Sequence, residues 1–374
     1  MKMQSLGTVC EFRYGKSLPE ARRREGNYRV FGSNGSVGYH DEPLTNAPTI
    51  IVGRKGSIGE INFSEQPCWP IDTTYYIDQS ATKHNIRWLF YALKSLRLTE
   101  LNKATGVPGL NRNDAYERML IVPNLRDQAR IAAILDKADA IRRKREQALA
   151  LADDFLRSAY LHVVGLKHPD FLCWQPATIE SLAANKRGSI RSGPFGSALL
   201  HSEFVDEGVA VLGIDNAVKN KFQWAERRFI TREKYEELRR YRVYPSDVII
   251  TIMGTTGRSA VVPDDIPEAI TTKHLASITC DLDKVLPEFL SFAIHSDPVV
   301  IDQIRAANKG AIMDGLNLGI IRQIKIRRPP MSQQRLFAEL LNKNDAAIRR
   351  MTTPTGDGSD LFASLSQRAF RGEI

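Results

Sequence analysis

Apolar residues recur at helical spacing from Asn124 to Val164, a stretch with no glycine or proline. In heptad terms the a positions are Ile131, Ala138, Arg145, Ala152 and Ala159. The d positions are Ile134, Ile141, Ala148 and Phe155, with Leu135, Leu149 and Leu156 widening the stripe at e. Asn124 is placed to cap the first turn, and Asp127 stands at the third capping-box position. At about 1.5 Å per residue the helix would run on the order of 60 Å. That is too long for an ordinary globular helix and too polar for a membrane span. The pattern therefore predicts a helix in need of a partner helix.

The rest of the chain supplies that partner by repeating itself, and a repeat takes precedence over local readings. RVFGSNG (Arg29 to Gly35) pairs with AVLGIDN (Ala210 to Asn216). TIIVGRKGSIG (Thr49 to Gly59) pairs with VIITIMGTTGR (Val248 to Arg258), which sets Gly56 on Gly254 and Gly59 on Gly257. Asp72-Thr73-Thr74 then falls on Ile270-Thr271-Thr272, and GLN at Gly109 on GLN at Gly315. Pro123 and Gln128 fall on Pro329 and Gln334, and LADDFLRSAY (from Leu151) on LFASLSQRAF (from Leu361). The order is kept throughout. Short β-rich runs at Pro48 to Val52, Tyr75 to Ile77, Val248 to Ile252 and Ala276 to Thr279 are punctuated by glycine loops. Helical segments are expected at Ile86 to Asn102, Leu286 to Ala307 and Thr231 to Arg240.

The expected architecture is α+β: two tandem globular domains, each followed by a long helix, with the helices packing as an antiparallel coiled coil about a pseudo-twofold. The boundaries read 1–122, 123–165, 166–328 and 329–374. Pro354 and two glycines interrupt the last helix near 352–359, and it resumes at Leu361. Packing is expected through Ile131, Ile134, Ile141 and Phe155 on one helix, and Phe337, Leu340, Leu341, Leu361 and Leu365 on the other.

Composition narrows the function. The chain has 374 residues, and its net charge of +9 favours a polyanionic partner. Cys10, Cys68, Cys173 and Cys280 are scattered with no CxxC pair, which argues for reduced thiols and against a zinc site or disulfide framework. The N-terminus has no long apolar core of the signal-peptide kind, so a cytoplasmic location is expected.

Catalytic signatures fail. Gly15-Lys16-Ser17 lacks the earlier glycine of a phosphate loop, because Cys10 stands there. The glycine triplets 32/35/38 and 53/56/59 have the wrong spacing for a dinucleotide fingerprint. Pro263-Asp264 is not followed by the acidic-x-Lys element of a metal-dependent nuclease. Pro329-Pro330 follows Arg328, which is not an amino-methyltransferase motif, and the histidines show no metal-ligand spacing. No metal or catalytic residue is expected in this chain.

Nucleic-acid contact fits better. The loops Gly53 to Ser57 and Gly254 to Arg258 combine backbone freedom, hydroxyls and cations, the donors that phosphates and guanine accept. The candidates are Lys16, Ser17, Asn34, Arg54, Lys55 and Ser57 in the first half. In the second they are Ser197, Asn216, Thr255, Thr256, Arg258 and Lys273, with Gly15-Lys16-Ser17 and Gly196-Ser197 taken as equivalent. Basic runs at Arg22 to Arg24, Lys219 to Lys221, Arg239 to Arg242 and Arg142 to Arg145 read first as solvated surface charge. The last could also meet phosphates between two DNA-reading heads.

The duplicated glycine loops at Gly56 and Gly254 and the helix openings Pro123/Gln128 and Pro329/Gln334 resemble the DNA-specificity subunits of type I restriction-modification systems. The helix ends LRSAY (Leu156 to Tyr160) and the C-terminal AFRGEI are similar to them too. The resemblance implies that each domain reads one part of a split duplex sequence, with the helices as a ruler between them. It implies two adenine-methylating modification subunits and two restriction/translocase subunits as partners. S-adenosylmethionine, ATP and Mg2+ would then be bound by those partners and no cofactor by this chain, with no membrane association. Away from the resemblance, the residues also allow a coiled-coil adaptor whose basic loops bind RNA or protein.

Overall fold

The computed structural model describes residues 2–101, 109–308, 315–352 and 358–373. They form two compact units, residues 1–148 with 351–374 and residues 149–350.

In the first unit the order is β1 (Lys2–Ser5), α1 (Leu6–Val9), β2 (Arg13–Tyr14), β3 (Tyr28–Gly32), β4 (Gly35–His40), β5 (Thr49–Gly53), β6 (Ile61–Ser64), β7 (Cys68–Pro70) and β8 (Thr74–Asp78). Then come α2 (Ile86–Ser95), α3 (Arg112–Tyr116), β9 (Met119–Val122) and the start of α4 (Leu125–Val163). The strands make sheets β2-β8-β5-β6, β4-β3-β7 and β1-β9, with β3 and β7 parallel. Every residue of β5 is buried. Its β-branched run suits a central strand covered on both faces. Beside it Ile50, Val52 and Ile77 share a core with Trp88, Leu89 and Leu93 of α2.

The second unit runs β10 (Pro176–Thr178), α5 (Ile179–Leu182), β11 (Ile190–Ser192), β12 (Val209–Leu212), β13 (Phe229–Ile230), α6 (Arg232–Leu238), β14 (Arg242–Val243), β15 (Val248–Thr251), β16 (Ser259–Val261), β17 (Ala269–Thr271) and β18 (Leu275–Ile278). It continues with α7 (Pro287–Ser296), α8 (Pro298–Asn308), α9 (Leu318–Gln323), β19 (Lys325–Arg327) and α10 (Met331–Thr352). Its sheets are β11-β18-β15-β16, β13-β12-β17-β14 and β10-β19. This is the first unit's topology with β14 added at an edge and α6 inserted before it.

Backbone hydrogen bonds place the repeat residue by residue. Gly56 and Gly254 have φ of 75° and 76°, and Gly59 and Gly257 have φ of 71° and 80°, a left-handed conformation that suits glycine. Lys55 bridges Gly109 as Met253 bridges Gly315. Two pairings need correcting. Thr74 N donates to Ile71 O at 2.9 Å and Leu275 N to Thr272 O at 3.1 Å, so Thr74 corresponds to Leu275 and not to Thr272. The longer connection from β16 to β17 absorbs the extra residues. Gly15 N donates to Thr74 O and Gly193 N to Leu275 O, so the counterpart of Gly15 is Gly193, not Gly196. A Cβ on either glycine would meet a carbonyl oxygen at 2.1 Å (Ile71) or 2.3 Å (Thr271), which is why both positions are glycine.

The helix predicted at Leu286 to Ala307 is two helices. Asp297 ends α7, and its carboxylate accepts from Val299 N at 2.8 Å to cap α8 at Pro298, a residue with no N–H to continue the ladder. The helix predicted at Ile86 to Asn102 stops at Ser95, before Arg97 at φ 47°; Asn102 lies outside the described residues.

The long helix begins as expected, with Asp127 N donating to Asn124 Oδ1 at 2.9 Å. The Pro-then-Gln openings have a definite job. Gln128 is 1% exposed, accepts from Asn85 N at 2.8 Å and donates to Pro123 O at 2.8 Å. Gln334 accepts from Leu286 N at 2.9 Å and donates to Pro329 O at 2.9 Å. Each glutamine thus ties the head of a long helix to the residue before α2 or α7. The C-terminal helix α11 (Gly358–Phe370) belongs to the first unit, where Ala369 is buried with Ile131, Ala132 and Leu135 of α4. In the second unit the tail of α4, through Leu156 and Tyr160, is buried with Phe337 of α10. Head meets tail in both units, the antiparallel sense.

The buried stripe follows a and e, not a and d. Ile131 and Leu135 are buried and Ile134 is partly so, but Ile141 is 52% and Phe155 51% exposed, and Leu361 is also exposed. These three expected packing positions are corrected, because within each unit the helix lays its a/e edge on a globular domain. Phe337 is buried, Leu341 and Leu365 pack on the two cores, and Leu340 is half-buried. The loop expected near 352–359 lies, at 353–357, outside the described residues.

Candidate nucleic-acid interface

In the first unit, β5 leaves its sheet at Gly53, whose N–H bonds Glu60 O at 2.8 Å, and Gly59 N returns to Gly53 O at 2.8 Å. The loop between them is a tight, self-bonded turn. Arg54 and Lys55 donate backbone N–H groups to Thr73 O at 2.9 and 3.1 Å. The Arg54 guanidinium bonds Asp72 O through Nη2 at 2.8 Å and Nε at 3.2 Å. It lies 5.3 Å from the centre of the Tyr14 ring. Arg112, just after the Gly109 motif, lies 5.5 Å from the same ring. Below them Tyr75 sits 5.0 Å from Tyr14 and donates to Leu110 O, with burial pushing its phenol up to about 12. Lys16 stands on Trp69, whose indole N–H bonds Lys16 O at 2.8 Å. Lys16, Ser17, Asn34 and Lys55 are exposed and Ser57 is half-buried.

The sequence reading missed Tyr14 and Arg112. Tyr14 directly precedes the Gly15-Lys16-Ser17 run, and Arg112 directly follows GLN, so adjacency to a repeated motif was the available signal.

The second unit builds the same turn with different side chains. Gly257 N bonds Thr251 O at 3.0 Å, Arg258 N bonds Thr251 Oγ1 at 2.9 Å, and the Thr251 hydroxyl donates to Thr255 O. Thr255, Arg258, Lys273 and Ser197 are exposed and Thr256 is half-buried. Asn216 is different. It is 2% exposed, accepts from Gly213 N and donates to Gln223 O, both at 2.8 Å. Its buried amide holds its own turn and is not presented at the surface.

The other basic runs are mostly paired. Arg24 meets Asp41 at 2.6 Å, Lys221 meets Asp345 at 2.8 Å, Arg242 meets Glu268 at 3.4 Å, and Arg142 meets Asp139 at 2.7 Å. Such pairs are helix and surface charge in the sense first expected. Among the described residues no cluster of three or more His, Cys, Asp or Glu could hold a metal, and no helix is long and apolar enough to cross a membrane.

His295, near Arg258, gives this unit a pH dependence. Burial and the positive charges of Arg258 and Arg157 push its pKa from 6.5 down to about 3. Between those values the unfolded chain takes a proton that the folded chain refuses, so stability falls as the pH drops below about 6.5. The expected result is a declining unfolding midpoint from pH 7 to pH 5, flattened in His295→Gln. Equal slopes in both proteins would show that His295 does not contribute.

Residues 1–151 match the family described as type I restriction modification DNA specificity domain. The chain is also 21% identical over 359 residues to the type I restriction enzyme EcoBI specificity subunit of Escherichia coli, covering 87% of this chain and 73% of that protein. The first part of the chain thus matches the type I restriction-modification specificity family, and the whole chain is similar to its specificity subunits. A second member, the MjaVIII specificity subunit of Methanocaldococcus jannaschii, is 22% identical over 318 residues, 81% of this chain and 71% of its own length. The fold is that of the type I restriction-modification S subunit from M. genitalium, with a TM-score of 0.67 at 16% identity over 99% of this chain and 96% of that one. As in these specificity proteins, two tandem domains each lead into a long helix. The RNA- or protein-binding adaptor reading is not favoured.

Proposed function

We propose that the chain reads a split duplex DNA target, one part with each domain, and recruits the subunits that modify and cut it. The observation that carries this is the same glycine turn in both domains, backed by equivalent bridges to Gly109 and Gly315 but dressed with different side chains. Equivalent scaffolds with unlike side chains suit two half-sites of unlike sequence. Specificity subunits are non-catalytic, and the enzymatic activities lie in partner subunits. We assign adenine methylation with S-adenosylmethionine to two modification subunits, and ATP- and Mg2+-dependent translocation and cleavage to two restriction subunits. Cells that hold such a complex would hold it in the cytoplasm. Two readers linked in one chain gain affinity through effective concentration.

The proposed contacts in the first domain are Lys16, Ser17, Asn34, Arg54, Lys55 and Ser57. In the second they are Ser197, Thr255, Thr256, Arg258 and Lys273. The exposed Ile141 and Phe155 of α4 support docking of a partner on that helix.

The test is a map of methylated adenines in DNA from cells expressing the chain with its modification partner. A single bipartite motif is expected, and methylation without a motif would overturn the reading. Arg54→Ala and Arg258→Ala should each weaken specific binding by about tenfold, and each should relax a different half of the motif, as loss of an Arg–base contact costs roughly 1–3 kcal/mol. An unchanged motif in both variants would return these loops to a purely structural role.

A further inference from the structure

We infer that the first domain carries a phosphate clamp, centred on Tyr14, that the second domain lacks. The inference rests on the duplex-reading function proposed above. Tyr14 is 54% exposed on β2, an edge strand of its sheet. Two guanidinium groups, those of Arg54 and Arg112, lie within 5.5 Å of its ring centre. Among the described residues neither arginine makes an ion pair with a carboxylate. Neither does Lys55 beside them, nor Lys16 on Trp69. A dense set of unpaired cations on aromatic rings, with one arginine pinned to a backbone carbonyl, is a preorganised site for polyanion. It neutralises phosphate without first breaking salt bridges.

A comparable cluster in the second unit behaves differently. Tyr244 is 41% exposed and approached by Lys186, Arg191 and Arg242 at 5.1 to 5.3 Å. There Arg191 is bound to the buried Asp247, and Arg242 meets Glu268. Most of that positive charge is already neutralised.

Repeat equivalence shows that the clamp has no counterpart in the second unit. Gly15 corresponds to Gly193, so Tyr14 corresponds to Ser192. Arg54 N and Ile252 N occupy the same bonding position, to Thr73 O and His274 O. Asn111 caps α3 and Asn317 caps α9, so Arg112 corresponds to Leu318. Ring and both cations are replaced by serine, isoleucine and leucine. The first domain therefore supplies the larger share of the salt-dependent grip, and the second relies more on its hydroxyl-rich turn.

The experiment uses the full chain in complex with its modification partner and a duplex bearing the mapped motif, with affinity followed from 50 to 200 mM salt. Arg112→Ala is expected to weaken binding about tenfold and to reduce the slope of log K against log salt by roughly 0.9, the value of one released phosphate contact. Tyr14→Ala should weaken binding by a similar factor, and Tyr14→Phe, which keeps the ring, should retain it. The methylated motif should not change in Arg112→Ala, which leaves Arg54, proposed above to contact a base, in place, because phosphate contacts carry no sequence information. An unchanged slope in Arg112→Ala, or relaxation of the first half of the motif, would overturn the clamp while leaving the reading function intact. Absence of any sequence preference in the unsubstituted complex would instead overturn that function.

Discussion

Tyr160→Ala should cost the second unit about 4 kcal/mol, in the range for emptying a buried aromatic site. Tyr160 is 1% exposed at the tail of α4. Its ring packs on Phe292 and Phe337 at centroid distances of 5.2 and 5.4 Å, and its hydroxyl donates to the buried Asp297 at 2.8 Å. Three elements meet at this side chain: the long helix, the head of α10 and the α7–α8 junction that Asp297 caps. Tyr160→Phe should cost only roughly 1–2 kcal/mol, the loss of one donor to a carboxylate that keeps the Val299 N–H. Burial and Asp297 raise the Tyr160 pKa well above 10. The folded state therefore holds the proton more tightly, and this contribution is complete below about pH 10 and is lost as the pH rises beyond it. Hydrogen exchange over α7, α8 and α10 reports the effect. Unaltered protection there in Tyr160→Ala would mean that the tail of α4 does not support this unit.

Ending the chain after Thr352 should loosen the first unit and leave the second unchanged. The deletion removes Ala369, 3% exposed in the first core, and Phe362, Leu365 and Phe370, which pack partly buried against it. Phe362 lies 5.9 Å from Tyr91, and Arg142 lies 6.0 Å from the Phe362 ring. At roughly 1 kcal/mol for each partly buried side chain, the loss is on the order of 3–5 kcal/mol. Faster exchange confined to α2 and the head of α4 is the expected result. Equal loss of protection in both units would contradict the assignment of α11 to the first.

The repeat, the long helix and the glycine turns were legible in the sequence because each rests on short-range rules: helical period, absence of breakers, and positive φ at Gly56, Gly59, Gly254 and Gly257. The side of α4 that is buried was not. A heptad assumes a like partner along the whole seam, whereas Ile131 and Leu135 face a globular core and Ile141 and Phe155 do not. Asn216 was misread for a related reason: an asparagine after Gly-Ile-Asp looks free to bind, yet Gly213 N and Gln223 O use both ends of its amide. Tyr14 and Arg112 meet only through space, and nothing in their separation along the chain announces it. The three-residue offset of Thr74 and Leu275 was hidden because the Thr-Thr pair at Thr271-Thr272 imitates Thr73-Thr74, whereas the structural counterparts are His274 and Leu275.

The exchange of helix tails sets an order for folding during synthesis. The second unit, residues 149–350, is one uninterrupted stretch and can close as soon as it has left the ribosome. The first unit cannot. Its seam of Ile131, Ala132 and Leu135 is finished only when Ala369 arrives, more than two hundred residues after residue 148. At roughly 5–20 residues per second, that is a wait of roughly 10–40 s. The domain made first is therefore completed last, and its apolar seam stays open to chaperones, or to aggregation, through most of translation.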